Sequence, residues 1–273
     1  MTLYGIDFTS RPCQQKPITV AVGGQMESRT IRLKALETHT DFTGFEAFLN
    51  RPGPWLGGFD FPFGLPRELV LALDWPRTWP ELIHHVAQQQ RADLRERFKG
   101  FCNARPVGNK FAHRAVDALA QCSPSMKWVN PPVAWMLLEG APRLLDAGVH
   151  LPGLHVGDPN RVALEAYPAL LARKVIGRES YKSDEPARQT AERTARRARI
   201  VEALEAGYIA CGLRLYADNV ALRDRLIADG SGDLLDAVLC MMQAAAAALQ
   251  GAPRYGLPEC IDPLEGWIAT VGP

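Results

Sequence analysis

Two short stretches of the chain carry nearly the same residues: Gly5-Ile6-Asp7-Phe8 close to the amino terminus and Gly58-Phe59-Asp60-Phe61 further along. Each is an apolar run with a single carboxylate, and each predicts a buried β-strand. Strand side chains alternate between two faces, so each aspartate shares a face with the glycine two residues before it. A carboxylate is costly to bury unless a cation pairs with it. The missing side chain beside each acid therefore suggests room for a cation and a ligand.

Three further acids extend this pattern. Glu165 lies in a strand predicted over 161–167, again with a small residue two positions before it. Asp233 and Asp236 are three residues apart at the start of a helix predicted over 232–249, and therefore share one helical face. Carboxylates are hard oxygen ligands suited to Mg²⁺ or Mn²⁺, and a cluster of them would repel itself without such ions. The five acids together predict a divalent-metal site.

The rest of the sequence predicts an α/β fold, a mixed sheet with helices on its faces. The first part of the chain contains three strand patterns, with a hairpin turn expected at Gly23-Gly24. Residues 65–160, between the fourth and fifth predicted strands, are rich in Pro, Gly and Asn and include a helical pattern over 79–97. We interpret them as a large insertion of helices and loops. We expect one domain over 1–273.

Composition excludes several classes of protein. The chain has 273 residues, of which 47% are hydrophobic and 22% charged, so it can bury a core and is not a disordered or fibrous protein. No apolar run approaches the roughly 20 residues that span a bilayer, so we expect no membrane partner. No signal peptide is visible at the amino terminus, and the six cysteines are widely spaced. We therefore expect a cytoplasmic protein with reduced thiols.

The formal net charge of +1 hides a strong asymmetry. Residues 91–114 and 173–199 each carry a net charge of +5, the latter including an arginine-rich helix predicted over 186–206, whereas the chain after residue 200 carries −6. Basic surfaces beside an acidic metal site would attract a phosphate backbone, although an arginine-rich helix is more often a solvated face. The candidate phosphate-binding residues are Lys182, Arg105 and Lys127.

Taken together, several motifs resemble one bacterial and archaeal family, a domain-of-unknown-function family described as predicted nucleases of RNase H-like fold. The resemblance covers nearly the whole chain. Its motifs are Gly5-Ile6-Asp7-Phe8-Thr9-Ser10, Gly58-Phe59-Asp60-Phe61-Pro62-Phe63-Gly64, Glu165-Ala166-Tyr167-Pro168, Tyr181-Lys182, Asp233-Leu234-Leu235-Asp236-Ala237 and Asp262-Pro263-Leu264-Glu265-Gly266-Trp267-Ile268.

The resemblance implies a five-stranded mixed sheet with the first strand at its centre. Acids of the first strand, the fourth strand and the last helix would converge at one edge: Asp7, Asp60 and Asp233 or Asp236. Glu165 has no firm counterpart in the simplest members. Such acids would hold two divalent ions roughly 3.5–4 Å apart and hydrolyse phosphodiester bonds of DNA or RNA.

Two alternatives stay open from the sequence. One is a catalytically silent module of the same fold that binds nucleic acid or protein. The other is a hydrolase of small phosphodiesters or nucleotides. An actin-like kinase would need a second domain of this kind, for which 273 residues with a large insertion leave no space.

Overall fold

The protein was analysed as a computed structural model, which describes residues 1–27 and 29–272. It contains seven β-strands in one sheet: β1 Thr2–Asp7, β2 Ile18–Glu27, β3 Thr30–His39, β4 Trp55–Phe59, β5 Val149–His150, β6 Asp158–Glu165 and β7 Arg214–Ala217. The helices are α1 Phe42–Leu49, α2 Arg67–Ala72, α3 Trp79–Ala87, α4 Arg91–Asn103, α5 Ala115–Ala120, α6 Val133–Asp146, α7 Ala169–Ile176, α8 Ala191–Ala206, α9 Val220–Ala228 and α10 Asp233–Ala248.

The strands are arranged in the order β5-β6-β4-β1-β2-β3-β7, with β1 at the centre. Pairing is antiparallel between β1, β2 and β3 and parallel between β1, β4 and β6, so the sheet is mixed as predicted. The expected count of five strands is wrong. The short strands β5 and β7 add one strand to each edge of the sheet, and neither is long enough to give a periodic signal in the sequence.

Helices cover both faces of the sheet, because each face carries its own hydrophobic core. On one face, Ile6 of β1 and Phe59 of β4 pack with α1 and with the helices of the insertion. On the other face, Leu3 of β1 and Leu56 of β4 pack with α7, α8, α9 and α10. The predicted insertion corresponds to the segment between β4 and β6, which contains α2 to α6 and contributes β5 to the sheet.

Three local expectations were wrong. The strand β2 continues through Gly23 and Gly24, where a Cβ on Gly23 would overlap the Arg32 carbonyl oxygen across the strand pair. The helix predicted over 79–97 is two helices, interrupted between α3 and α4. Helix α8 begins at Ala191 and not near residue 186, since Pro186–Arg188 forms a separate 3-10 turn.

Candidate metal centre

The glycines beside the two strand aspartates determine how closely α10 approaches the sheet. A Cβ on Gly5 would overlap the carbonyl oxygen of Ala237, and one on Gly58 would overlap that of Cys240. The space beside each aspartate is therefore filled by the backbone of α10 and is not left open for a cation and a ligand, as we had expected. Because glycine has no side chain, the backbone of α10 packs directly against the backbones of β1 and β4, and its first turn reaches the ends of both strands.

This close packing brings three carboxylates together. Asp7 ends β1, Asp60 directly follows β4, and Asp236 lies in the first turn of α10. One carboxylate oxygen from each lies within 4.8 Å of the others. Asp236 is fully buried, Asp7 is 7% exposed and Asp60 is half-buried. We call Asp7, Asp60 and Asp236 the carboxylate triad.

Two members of the triad are held in an environment that disfavours their charge. Burial, followed by the charge of Asp233, raises the pKa of Asp7 well above its usual value. Burial, together with the charge of Asp236, raises the pKa of Asp60 to about 7. In the part of the chain that the structure describes, burial and nearby charges act on these two carboxylates, and no hydrogen-bond donor reaches them. Both groups therefore gain most from an added cation.

Two lysines lie next to the acids at the start of α10. Lys182 donates from its ammonium group to one oxygen of Asp236, and the Tyr181 hydroxyl donates to the other. Lys16, from the loop after β1, donates to Asp233 at 2.7 Å. Although burial opposes it, the carboxylate of Asp236 raises the pKa of Lys182 well above its usual value. Burial likewise opposes the charge of Lys16, but Asp233 and Asp184 raise its pKa, so both lysines remain charged near neutral pH.

The segment that carries Tyr181 and Lys182 is positioned by a buried arginine of α8. The side chain of Arg197 is 1% exposed and donates to the carbonyl oxygens of Tyr181 and Ile227, each at 2.7 Å. The sequence left open whether the arginines of this helix form a phosphate-binding surface or a solvated face. Arg197 instead connects α8 to the loop that supplies Lys182.

Glu165 is not part of the triad, because it lies on the opposite face of the sheet. In the parallel pairing, Phe59 is in register with Glu165. Asp60 follows Phe59 and so points to the other side. Asp233 is also outside the triad, since its carboxylate pairs with Lys16. The catalytic roles of Glu165 and Asp233 stay predictions.

Glu165 belongs to a second buried group, the Arg114 cluster, made of Arg114, Asp117, Glu165 and Glu265. Arg114 is 2% exposed, and all five of its N–H groups donate hydrogen bonds. Nε and Nη2 donate to Asp117, and Nη1 and Nη2 donate to Glu165. Nη1 also donates to the backbone oxygen of Glu265. The Glu265 carboxylate accepts from the backbone N–H groups of Arg67 and Ala115, both at 2.9 Å. This cluster joins the insertion to the end of β6 and to the carboxyl-terminal segment.

The predicted phosphate-binding residues are distributed over the molecule. Lys182 lies at the triad, as described. Arg105 pairs with Glu68 of α2 and also donates to the backbone oxygen of Asn109. Lys127 is half-buried in the turn before α6, and its carbonyl oxygen accepts from the Ala134 N–H at 2.9 Å.

The basic stretch 173–199 is largely engaged within the chain itself. Each of its nine basic side chains donates to a carboxylate, a side-chain oxygen or a backbone carbonyl: Arg173, Lys174, Arg178, Lys182, Arg188, Arg193, Arg196, Arg197 and Arg199. The net charge of +5 therefore does not correspond to basic side chains without partners in the chain. Several of these contacts connect helices and loops, as Arg197 does.

The chemistry of the triad fits a hard divalent cation. It offers three carboxylate oxygens that lie within 4.8 Å of one another, and carboxylate oxygens are the ligands typical of Mg²⁺ or Mn²⁺ sites. Fold and site together define an α/β protein with a mixed, helix-covered sheet and a buried acidic group that could hold a metal ion. No helix in the described ranges has the length and apolar character needed to cross a bilayer.

The chain belongs to the family described as "Protein of unknown function (DUF429)", which it matches over residues 5–259. The matched range includes all three members of the triad and Lys182. The segment 262–268, whose Glu265 contributes to the Arg114 cluster, lies beyond it. No curated protein and no solved structure gave a significant match.

Proposed function

We propose that this protein is a divalent-metal-dependent hydrolase of phosphodiester bonds in nucleic acid, with the carboxylate triad as its metal centre. The observation that carries the proposal is the convergence of Asp7, Asp60 and Asp236 in a buried place that lacks hydrogen-bond donors for the first two. The RNase H-like resemblance of the sequence supports the same conclusion. It implies a central first strand and a meeting of acids from two strands and the last helix, and both features are present.

The charges around the triad favour one ion over the two that the resemblance implied. Lys16 pairs with Asp233 and with the exposed Asp184, and Lys182 pairs with Asp236, so Asp7 and Asp60 are the two triad carboxylates without an ion pair. One divalent ion neutralises them. The ammonium of Lys182, paired with Asp236, would supply positive charge that a second ion supplies in two-metal sites.

In this proposal each residue has a separate task. A divalent ion supplies Lewis acidity, which activates a water as nucleophile and stabilises the charge that develops on the phosphate. Asp7, Asp60 and Asp236 would hold the cation. Tyr181 keeps the Asp236 carboxylate oriented, and Lys182 donates to a non-bridging phosphate oxygen. The water oxygen forms the new bond to phosphorus and releases a proton to solvent, the bond to the leaving oxygen breaks, and that oxygen takes up a proton from solvent, so that one water is consumed.

Small phosphodiesters or nucleotides are the second candidate substrate class. The observation that favours them is the engagement of every basic side chain of 173–199 in contacts within the chain, which leaves less cationic surface for a long phosphate backbone. Comparison of a dinucleotide with longer single-stranded and double-stranded DNA and RNA distinguishes the two classes. A polymer nuclease hydrolyses the longer substrates with the higher kcat/KM.

The direct test measures hydrolysis and Mn²⁺ binding in the same preparations. We expect hydrolysis with Mg²⁺ or Mn²⁺, binding of one Mn²⁺ by isothermal titration calorimetry, and a loss of both in Asp7→Asn. Removal of a metal-binding carboxylate should lower activity by at least roughly 100-fold. Asp224→Asn, an exposed acid on α9, is the matched control and should change neither. Absence of hydrolysis on every substrate, or full activity of Asp7→Asn, would contradict the proposal and favour a silent binding module.

A further inference from the structure

A cavity of about 180 Å³ opens beside the triad, and Asp60 belongs to both. Its walls come from four parts of the chain, one of which is the segment after β4 with Asp60 and Phe61. The insertion contributes Val133 and Met136 of α6, the end of β6 contributes Tyr167, and the carboxyl-terminal segment contributes Ile268. We call this space the side cavity. It is smaller than the roughly 300–1,000 Å³ of pockets for drug-sized ligands, and therefore suits a single ring system.

The side cavity offers no available charge apart from Asp60. Arg114 and Glu165 both line it, but their charged groups are bonded to each other. All five N–H donors of Arg114 are already used within the Arg114 cluster. A phosphate or carboxylate in the cavity would find no donor there, so an anionic occupant is disfavoured. The other polar side chains of the wall are neutral: Cys122 donates its thiol to Asp117, Tyr167 accepts from Arg173, and Ser123 carries a hydroxyl, so the wall suits an uncharged occupant.

The other walls are apolar or aromatic, and one aromatic ring is fixed in place. The hydroxyl of Tyr167 accepts from Arg173 at 2.9 Å, and the same guanidinium lies 5.3 Å from the centre of the ring. Phe61 and Ile268 are each 2% exposed and so provide rigid surface. Walls of this kind suit a flat, uncharged, weakly polar ring, which can stack on an aromatic side chain and make few hydrogen bonds.

We propose that the side cavity binds the nucleobase of the nucleotide whose phosphate lies at the carboxylate triad. This inference rests on the proposed function, since it is the shared residue Asp60 that links the occupant of the cavity to the reacting phosphate. The base leaves its stack and enters the cavity, as in other enzymes that accommodate an extruded base. In this proposal the insertion contributes to substrate binding, because Val133 and Met136 of α6 line the side cavity.

The test compares substrates with and without a base. The substrates are p-nitrophenyl phosphodiesters of thymidine and deoxyadenosine, in 5′ and 3′ forms, and the same esters of base-free deoxyribose. We expect the wild type to prefer a base-bearing ester by roughly 10- to 100-fold in kcat/KM, the range that base stacking supplies. Val133→Trp fills the side cavity and should bring that ratio close to one. Leu138→Trp, half-buried on the same helix but outside the cavity, should keep it.

Binding provides a readout that does not depend on hydrolysis. The fluorescence of 2-aminopurine deoxynucleoside monophosphate, titrated with protein in the presence of Ca²⁺, should change with the wild type and with Leu138→Trp but not with Val133→Trp. If this pattern is seen and no substrate is hydrolysed, the cavity assignment stands and the proposed hydrolase function fails. If esters are hydrolysed with no preference for a base, and Val133→Trp affects both kinds equally, the cavity assignment is overturned while the hydrolase function stands. A single abasic residue in an oligonucleotide, compared with an abasic dinucleotide, shows whether the base comes from a polymer or from a small substrate.

Discussion

The two buried acidic groups of this protein lie on opposite faces of the same sheet edge and differ in how their oxygens are satisfied. In the Arg114 cluster every carboxylate oxygen of Asp117, Glu165 and Glu265 accepts at least one hydrogen bond from the chain. In the carboxylate triad Asp236 alone is held in this way, by Tyr181 and Lys182. Acids outnumber cations in both groups, so net charge does not separate them. The two groups differ in their hydrogen-bond donors. A buried carboxylate that accepts hydrogen bonds from the chain stabilises the fold, whereas a buried carboxylate without donors is stabilised by a bound cation.

Removal of the central cation of the Arg114 cluster is the largest perturbation that we expect. Arg114→Met leaves buried carboxylate oxygens of Asp117 and Glu165 without partners and should lower the free energy of unfolding by about 3–5 kcal/mol. Urea denaturation measures the change. Arg188→Met, in an exposed pair with Glu185, should cost less than about 1 kcal/mol. A cost below about 1 kcal/mol for Arg114→Met as well would mean that the cluster does not hold the structure together.

A smaller loss of stability, with a specific effect on the triad, is expected from Gly5→Ala. The added methyl group would overlap the Ala237 carbonyl, forcing α10 away from β1 and costing about 2–3 kcal/mol. Because α10 carries Asp236, the Mn²⁺ affinity measured by calorimetry should fall by at least roughly tenfold. Gly100→Ala, on α4 with open space around it, should instead stabilise the protein by about 0.5–1 kcal/mol. Unchanged Mn²⁺ affinity in a folded Gly5→Ala would show that the approach of α10 does not assemble the triad.

The smallest expected effect has the opposite sign. Asp60→Asn removes an acid without donors and should stabilise the metal-free protein at pH 8 by about 1–2 kcal/mol, less than the full pKa shift suggests because the group is half-buried. The native state binds this proton more tightly than the unfolded chain. The stability that Asp60 contributes is therefore fully present below about pH 3.8 and is lost as the pH rises through about 7.

Urea denaturation between pH 4 and 8, with and without Mn²⁺, measures this dependence. In the wild type, Mn²⁺ should restore stability above pH 7, by about 2.7 kcal/mol at 100 times its Kd. In Asp60→Asn the decline with pH should become shallower and the effect of Mn²⁺ should shrink. If Asp60→Asn is no more stable than the wild type at pH 8 without metal, the contrast between the two buried groups is wrong.

Strand alternation and helix spacing in the sequence named the three members of the triad among five candidate acids, and left open whether Asp233 or Asp236 joins Asp7 and Asp60. The sequence could not show that Glu165 lies apart from the triad, since the side of the sheet that Glu165 faces depends on its register with Phe59. Nor does the sequence contain a signal for Arg114 or Lys16. Arg114 was counted among basic surface residues and is buried, and Lys16 reaches Asp233 only because the loop after β1 returns to the start of α10.

The sequence by itself therefore determined the α/β class and a set of five acids that contains the triad, since these follow from local periodicity and residue chemistry, whereas the central position of β1 was implied by the family resemblance. Only the tertiary structure showed the role of the glycines beside those acids, which is to allow α10 to pack closely against the sheet. The backbone of α10 occupies the space that they leave, and this contact joins residues more than 170 positions apart in the chain. Likewise, only the three-dimensional packing shows which buried carboxylates accept hydrogen bonds and which do not, because the donors come from segments distant in the sequence.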